Sequence, residues 1–307
     1  MTKVALVGPG SVGRALFQAL PANRFDRGAV LSHSLASARH AVRLMADGAA
    51  TEDPEDLASS SVILIAVPDR VIPQVAARLA AAKFSYSKKI VLHTGMASPS
   101  AALARLGERG AAVGSLCPVC LFQNPVLSYR GVHFLVEGDE LAVRAARKIV
   151  QALGGEFNRI KPEDKHHNLI AFTMVSDLLT GVLESAVLRM HEAGLSRKRS
   201  ISALRPVVAA AVQDYAQSHS NSRPGPILGP ADEDVAAWVA ALREVDPRGL
   251  ARLAETAKLV LVGMPMNGTR SKLLDGNHDE SANRRRGDAA SLSAGRGGTK
   301  DARPPRR

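Results

Sequence analysis

Aromatic residues are scarce. Tryptophan occurs once, tyrosine three times and phenylalanine seven times, 4% of 307 residues in all, too few for a chain that reads nucleic-acid bases by stacking on rings. Cysteine is rarer still, with only Cys117 and Cys120, which excludes a disulfide-stapled scaffold. Charged or turn residues interrupt every apolar run before the roughly 20 residues that cross a bilayer, so no membrane role is expected. No charged-then-apolar leader separates Met1 from the first strand-like segment. With so few thiols, a reducing, cytoplasmic setting is the expectation. What remains is ordinary: 46% hydrophobic and 22% charged residues, at a length that allows two domains, each with its own core.

The net charge of +11 hints at nucleic acid until it is divided along the chain. Arg270 to Arg307 hold 10 Lys/Arg and 5 Asp/Glu, so this eighth of the chain contributes +5 and all that precedes it +6. The tail has no aromatic, valine or isoleucine and cannot bury enough apolar surface to offset the entropy of ordering. It reads as a disordered basic tail, 266–307. Arg284, Arg285 and Arg286 could touch phosphates, but a short basic run is usually a solvated segment, and a nucleic-acid partner is not expected.

Before the tail the pattern changes once. KVALVG, GAVLSH, SVILIAVP, KIVLHTG, AAVGSL, GVHFLVEG and EFNRI read as strands, and helical segments alternate with them. That alternation predicts an α/β domain over 1–160, a doubly wound parallel sheet covered on both faces. From Lys161 long helices follow without strands, about Pro162 to Ala193, Ser196 to Ser218, Asp232 to Leu242 and Pro247 to Gly263, an all-α domain over 161–265.

The run GPGSVG sets Gly8, Gly10 and Gly13 in G-x-G-x-x-G register between the first strand and the first helix. Gly8 permits the tight turn, Gly10 lets backbone approach a pyrophosphate, and Gly13 allows close helix packing, while the amides of Ser11 and Val12 open the helix. A dinucleotide site is the expectation. An NAD site would place an acidic residue about 20 positions further on. Here Ser32, His33 and Ser34 stand in that place, with no carboxylate to repel a 2′-phosphate, so NADP is favoured over NAD. The alternative is that these serines cap the next helix. Ligands in such sheets lie beyond the carboxyl ends of the strands, which adds Val67, Pro68 and Thr94 to the cofactor candidates and His93 and Cys117 to the site candidates. For His93 a hydrogen-bonded residue lining a strand end is the plain alternative.

VALVGPGSVGRAL, VILIAVPD, VLHTG, GSLCPVCLF, GVHFLVEGDE, the long helix after Lys165 and GPILGPADED occur in that order. Together they resemble the Rossmann-like oxidoreductases with a helical C-terminal domain of unknown function, within the wider 6-phosphogluconate-dehydrogenase-like group. The resemblance covers about residues 3 to 264. It implies an NADP-dependent enzyme passing a hydride to or from a small carbonyl, imine or hydroxy-acid substrate, and a homodimer formed through the helical domain. Such proteins usually read His-Pro-Leu-Gln where this chain has Cys117-Pro118-Val119-Cys120. On their pattern Leu169 falls where a His is expected and Asp177 where an Asn is. These altered positions support the alternative of a regulatory module that binds NADP without catalysis. In related 3-hydroxyacid dehydrogenases a Lys with an Asn one turn later is catalytic, and Lys165 with Asn168 is a near match.

The helix from Lys165 carries a second signal. His166, Thr173, Asp177, Thr180 and Glu184 fall within an arc of roughly 60° at 100° per residue, one polar stripe on an apolar helix. Facing the nicotinamide, His166 and Asp177 would move protons while hydride moves; facing water, the stripe is a solvated edge. Cys117 and Cys120 do not fill a tetrahedral zinc site, so no metal is expected.

Overall fold

A computed structural model describes residues 1–121, 128–217 and 244. The expected helices over 232–242 and 247–263, the GPILGPADED loop and the 266–307 tail lie outside the described residues. The chain divides into two compact units, Met1–Ser200 and Ile201–Arg307.

The first unit is built on one eight-stranded sheet: β1 (Thr2–Val7), β2 (Phe25–Leu31), β3 (Ala49–Thr51), β4 (Val62–Ile65), β5 (Ile90–His93), β6 (Ala112–Pro118), β7 (His133–Gly138) and β8 (Glu156–Arg159). Their order is β3-β2-β1-β4-β5-β6-β7-β8. β4 is buried at every position, as an apolar run in the middle of a parallel sheet must be.

The helices are α1 (Ser11–Ala19), α2 (Leu35–Met45), α3 (Ile72–Ala80), α4 (Ala104–Glu108), α5 (Glu140–Leu153), α6 (Lys165–Thr173), α7 (Leu179–Glu192) and α8 (Arg197–Gln217). Leu6, Leu64, Leu92, Leu116 and Val136 pack with α1, α2 and α5 on one sheet face, while Ile63, Ile65, Val91 and Val113 pack with α3 and α4 on the other. In α5, Ala142, Val143, Ala146, Ile149 and Val150 turn one stripe to the core, and Gly154, at φ 75°, closes the helix in the left-handed conformation that glycine alone adopts freely.

Three features depart from the sequence reading. β3 is an added edge strand, where the residue pattern predicts a plain connection. β7 runs antiparallel to β6, with Pro118 opposite Phe134, so the sheet is parallel except at that junction. The third departure concerns membrane-span length. The helix Pro162–Glu192 is long and apolar enough to cross a membrane by length and composition, with mean hydropathy 1.5, because between Lys165 and Arg189 only Asp177 and Glu184 carry formal charge. A single π-helical turn, Met174–Leu178, separates α6 from α7. In the second unit, α8 from Ile201 onward holds Pro206 within it.

Candidate cofactor crevice and buried polar row

The glycine turn lies at the carboxyl end of β1. Gly8 has φ +82°, and a Cβ there would lie 2.3 Å from Val67 Cγ1 and 2.8 Å from the Ala66 carbonyl. At Gly13 a Cβ would meet the Gly8 carbonyl at 2.6 Å. Gly10 is the contrast, exposed and with nothing within 4 Å of a Cβ position. The turn is thus closed where helix and strand must pack and open where a pyrophosphate would run. As N-cap of α1, Gly10 offers no side chain, and the first turn of that helix holds no acidic residue. Its amide groups, those of exposed Ser11 and half-buried Val12 among them, are left for an anion.

At the end of β2, Ser34 is the N-cap of α2. Its Oγ accepts from Ser37 N at 3.3 Å and donates to Ser37 Oγ at 3.0 Å. Ser32 Oγ lies 3.5 Å from Nδ1 of the exposed His33. The carboxylate missing after β2 arrives from elsewhere. Exposed Glu52, just after β3, accepts from Leu35 N at 2.8 Å in the first turn of α2.

A second feature, starting at the carboxyl end of β5, is made of side chains. Ladder pairing sets His93 beside Ser115, and Ser115 beside Glu137. This polar row crosses β5, β6 and β7 on the face that otherwise carries Val91 and Val113. All three residues are buried, and Lys165, the first residue of α6, is buried with them. Lys165 Nζ donates to Ser115 Oγ at 2.5 Å and to the Gly95 carbonyl at 2.8 Å, and lies 3.8 Å from Glu137 Oε1. Behind it, Glu137 accepts from Ser100 N at 2.8 Å and from Ser100 Oγ at 2.6 Å. Burial lowers the Lys165 pKa from its ordinary value, opposed by Cys117, Glu137 and Asp69.

His93 Nδ1 accepts from Gly95 N at 3.1 Å, which assigns the proton of the neutral ring to Nε2. Among the described residues that Nε2 makes no hydrogen bond of full geometry, although the Pro99 backbone works to raise the ring's pKa. Burial first, and the Lys165 charge second, push the imidazole pKa down to about 4. The loop after β5 is held from a second side by Asp69, whose Oδ1 accepts from Ala97 N at 3.1 Å and Ser98 N at 2.6 Å. A Cβ at Gly95 would come 2.4 Å from that oxygen. Any side chain at position 95 would have to displace that carboxylate.

The remaining candidates scatter. Val67 and Thr94 are half-buried and Pro68 is exposed, with Thr94 N donating to the Ile65 carbonyl at 3.0 Å. His166 is exposed and lies against His167, ring centroids 3.8 Å apart. Asp177 is exposed within the π turn. That turn acts as a one-residue insertion and rotates the downstream residues by about 100° around the axis. His166 and Thr173 therefore do not continue in line into Thr180 and Glu184, and Glu184 pairs instead with Arg197 at 2.6 Å. Cys117 lies inside β6, with its thiol pushed up to about 12 by burial, and both cysteines are free. No group of three metal-ligating side chains occurs among the described residues. Sequence reasoning missed Asp69, Ser100, Ser115 and Glu137. The available signal was a carboxylate and a serine in the inward register of otherwise apolar strands.

Residues 1–118 match the Rossmann-like domain family, and 132–246 match the domain of unknown function DUF2520. The chain thus carries a Rossmann-like domain followed by a DUF2520 domain. Solved structures share the fold of this chain across most of its length. A Thermotoga maritima protein is 19% identical, covering 84% of this chain and 97% of its own, with TM-score 0.62. The reductive aminase of Aspergillus terreus, in complex with NADPH and ethyl-5-oxohexanoate, is 18% identical over 86% and 95%, with TM-score 0.61. The Plasmodium falciparum pyrroline carboxylate reductase with NADP bound is 14% identical over 84% and 96%, with TM-score 0.55. No curated protein matches this chain in sequence.

Proposed function

We propose that this protein is an NADP-dependent oxidoreductase that passes a hydride to or from a small carbonyl, imine or hydroxy-acid substrate. The observation that carries the reading is the glycine turn, closed at Gly8 and Gly13 and open at Gly10, at the carboxyl end of a parallel sheet. The NADP complexes of the reductive aminase and the pyrroline carboxylate reductase, which have the same fold, support it.

Gly8 to Gly13 would hold the pyrophosphate, Ser32 and His33 the 2′-phosphate, and Val67, Pro68 and Thr94 the nicotinamide end. The bound cofactor supplies the hydride chemistry, while the protein orients it and provides a proton. Of the proton-transfer candidates, Lys165 and His93 are sealed in the row, whereas His166 is exposed one residue beyond the anchored Lys165. His166 is the donor we assign, with Asp177 second. Titration with NADPH and NADH, then turnover with keto acids, hydroxy acids and imines, tests the reading. Tighter NADPH binding and turnover that falls in His166→Ala at unchanged NADPH affinity are expected.

The sealing of Lys165 and His93 also favours a second reading, a cofactor-binding regulatory module. NADPH binding without turnover on any of these substrates would select it. The apolar side chains Ile170, Val175, Leu178, Val182 and Leu188 are exposed along α6, the π turn and α7, and we assign a second copy of this chain to cover them. Light scattering at micromolar concentration should give a dimer. Two free thiols, one of them buried, suit a reducing, cytoplasmic setting.

A further inference from the structure

A buried carboxylate needs a reason. Glu137 is 1% exposed and Lys165 2%, and such a pair adds little net stability over apolar residues of the same shape. The value of this one lies in what Lys165 touches. Its ammonium donates to the backbone carbonyl of Gly95, in the loop after β5 whose other side is tied to Asp69. In that loop Thr94 N donates to the Ile65 carbonyl at the end of β4, two residues before Val67, and buried Gly95 lies against Asp69.

We propose that Glu137 is a positioning residue: braced by Ser100, it keeps Lys165 as an ammonium over Ser115 and the Gly95 carbonyl, and so fixes the loop that receives the nicotinamide end of the cofactor. This rests on the reading of the crevice as a cofactor site. Ser100 gives Glu137 both an N–H and an O–H, which hold the carboxylate in place beside Lys165. The groups facing Lys165 come from every neighbouring element: Glu137 on β7, Ser115 and Cys117 on β6, His93 on β5, and Asp69 after β4. Cys117 holds its proton well above neutral pH, and Asp69 acts on the amine more weakly than Glu137 does. Glu137 is the carboxylate that pairs with Lys165 directly, at 3.8 Å. Without it, burial acts on the amine against Asp69 as the one remaining carboxylate, the neutral form gains, and the pull on the Gly95 carbonyl weakens.

The test is made on the full chain with 15N-labelled lysine, following the Lys165 Nζ signal by NMR against pH and measuring NADPH dissociation constants over the same range. Loss of one signal in Lys165→Met identifies it. In Glu137→Gln, Lys165 should deprotonate about one pH unit or more lower than in the unaltered protein, a tenfold change in its ionisation constant. Ser100→Ala should shift it the same way by less. The NADPH dissociation constant of Glu137→Gln should then rise about tenfold more than that of the unaltered protein between pH 6.5 and 9. A merely structural role would lower the melting temperature and leave both pH profiles parallel.

Equal Lys165 titrations in Glu137→Gln and the unaltered protein would overturn the proposal, as would parallel NADPH profiles. If Glu137→Gln does not fold, Ser100→Ala decides by the same titration, and an unmoved Lys165 overturns it. Failure of the cofactor reading looks different, because NADPH then binds no form at any pH while the Lys165 titration still reports on Glu137.

Discussion

The glycine turn and the buried polar row are made in opposite ways. The glycine turn is written in six consecutive residues and works through backbone and the absence of side chains, so adding atoms is what harms it. The polar row takes one residue each from β5, β6, β7 and α6 and works through charge in a dry place, so removing a partner is what harms it. A backbone site is robust to changes of ionisation and intolerant of volume. The row is the reverse, tolerant of pH only while its ammonium and its carboxylate stay together. Substitutions and pH can press on either side of that contrast.

The largest effect should come from Lys165→Met. It leaves Glu137 buried with only Ser100 for company, and breaking a buried pair from one side costs roughly 3–5 kcal/mol. Differential scanning calorimetry should show a melting temperature lower by about 10 °C. Adding Glu137→Gln to the same chain should return part of the loss, since no uncompensated charge remains. A drop of a degree or two, unrelieved by the second change, would mean that the row behaves like solvent-exposed charge and the contrast with the turn is false.

Acid should act on the row next. Burial and the Lys165 charge hold His93 at about 4, while in the unfolded chain the imidazole takes its proton near 6.5. Between these values the unfolded state binds the proton and the folded state does not, so stability falls as the pH drops through this window. The His93 share is fully present above about pH 6.5, and about 3 kcal/mol of it is lost by pH 4. Denaturant midpoints at pH 7 and pH 4.5 should therefore differ more in the unaltered protein than in His93→Gln. Equal differences would show that the ring is protonated in the fold.

How much of this was legible follows the same division. The strands from KVALVG to EFNRI, and the glycine turn between the first strand and helix, could be read because their signal is local: consecutive β-branched residues, or glycines at fixed spacing. β3 was not legible, since Ala49–Thr51 is too short to carry a pattern. The antiparallel β7 was missed because direction depends on where the preceding strand finishes. His93 and Lys165 were each identified singly. Ser115 and Glu137 could be joined to them only through strand register, which no single stretch of sequence contains. The stripe from His166 to Glu184 assumed one helical period throughout, and the π turn at Met174–Leu178 breaks that assumption without any local residue announcing it.

At the glycine end, Gly10→Val and Gly13→Val should separate binding from folding. The first side chain enters open space, so the fold should stand while NADPH affinity falls about 100-fold or more, about 2.7 kcal/mol. The second meets the Gly8 carbonyl and should cost roughly 1–3 kcal/mol of stability. Isothermal titration beside thermal melts reads both. Retained affinity in a folded Gly10→Val chain would remove the pyrophosphate from the turn.

The smallest effects concern the adenosine end, where the two construction modes meet. Ser34→Ala should cost about 1 kcal/mol of stability, because Ser37 N loses its capping acceptor. Its hydroxyl is already engaged on both sides within the cap, so the ratio of NADPH to NADH affinity should stay where it was. Glu52→Gln should do the opposite. Its carboxylate is exposed at Leu35 N, close to where a 2′-phosphate beside Ser32 and His33 would lie, and removing one surface charge there is worth about 0.5–1 kcal/mol. NADPH should bind a few-fold more tightly, NADH unchanged, with the gain shrinking as salt is raised. If Ser34→Ala instead loses the NADPH preference, the hydroxyl leaves the cap to meet the phosphate, and the end of β2 belongs with the polar row as a side-chain site.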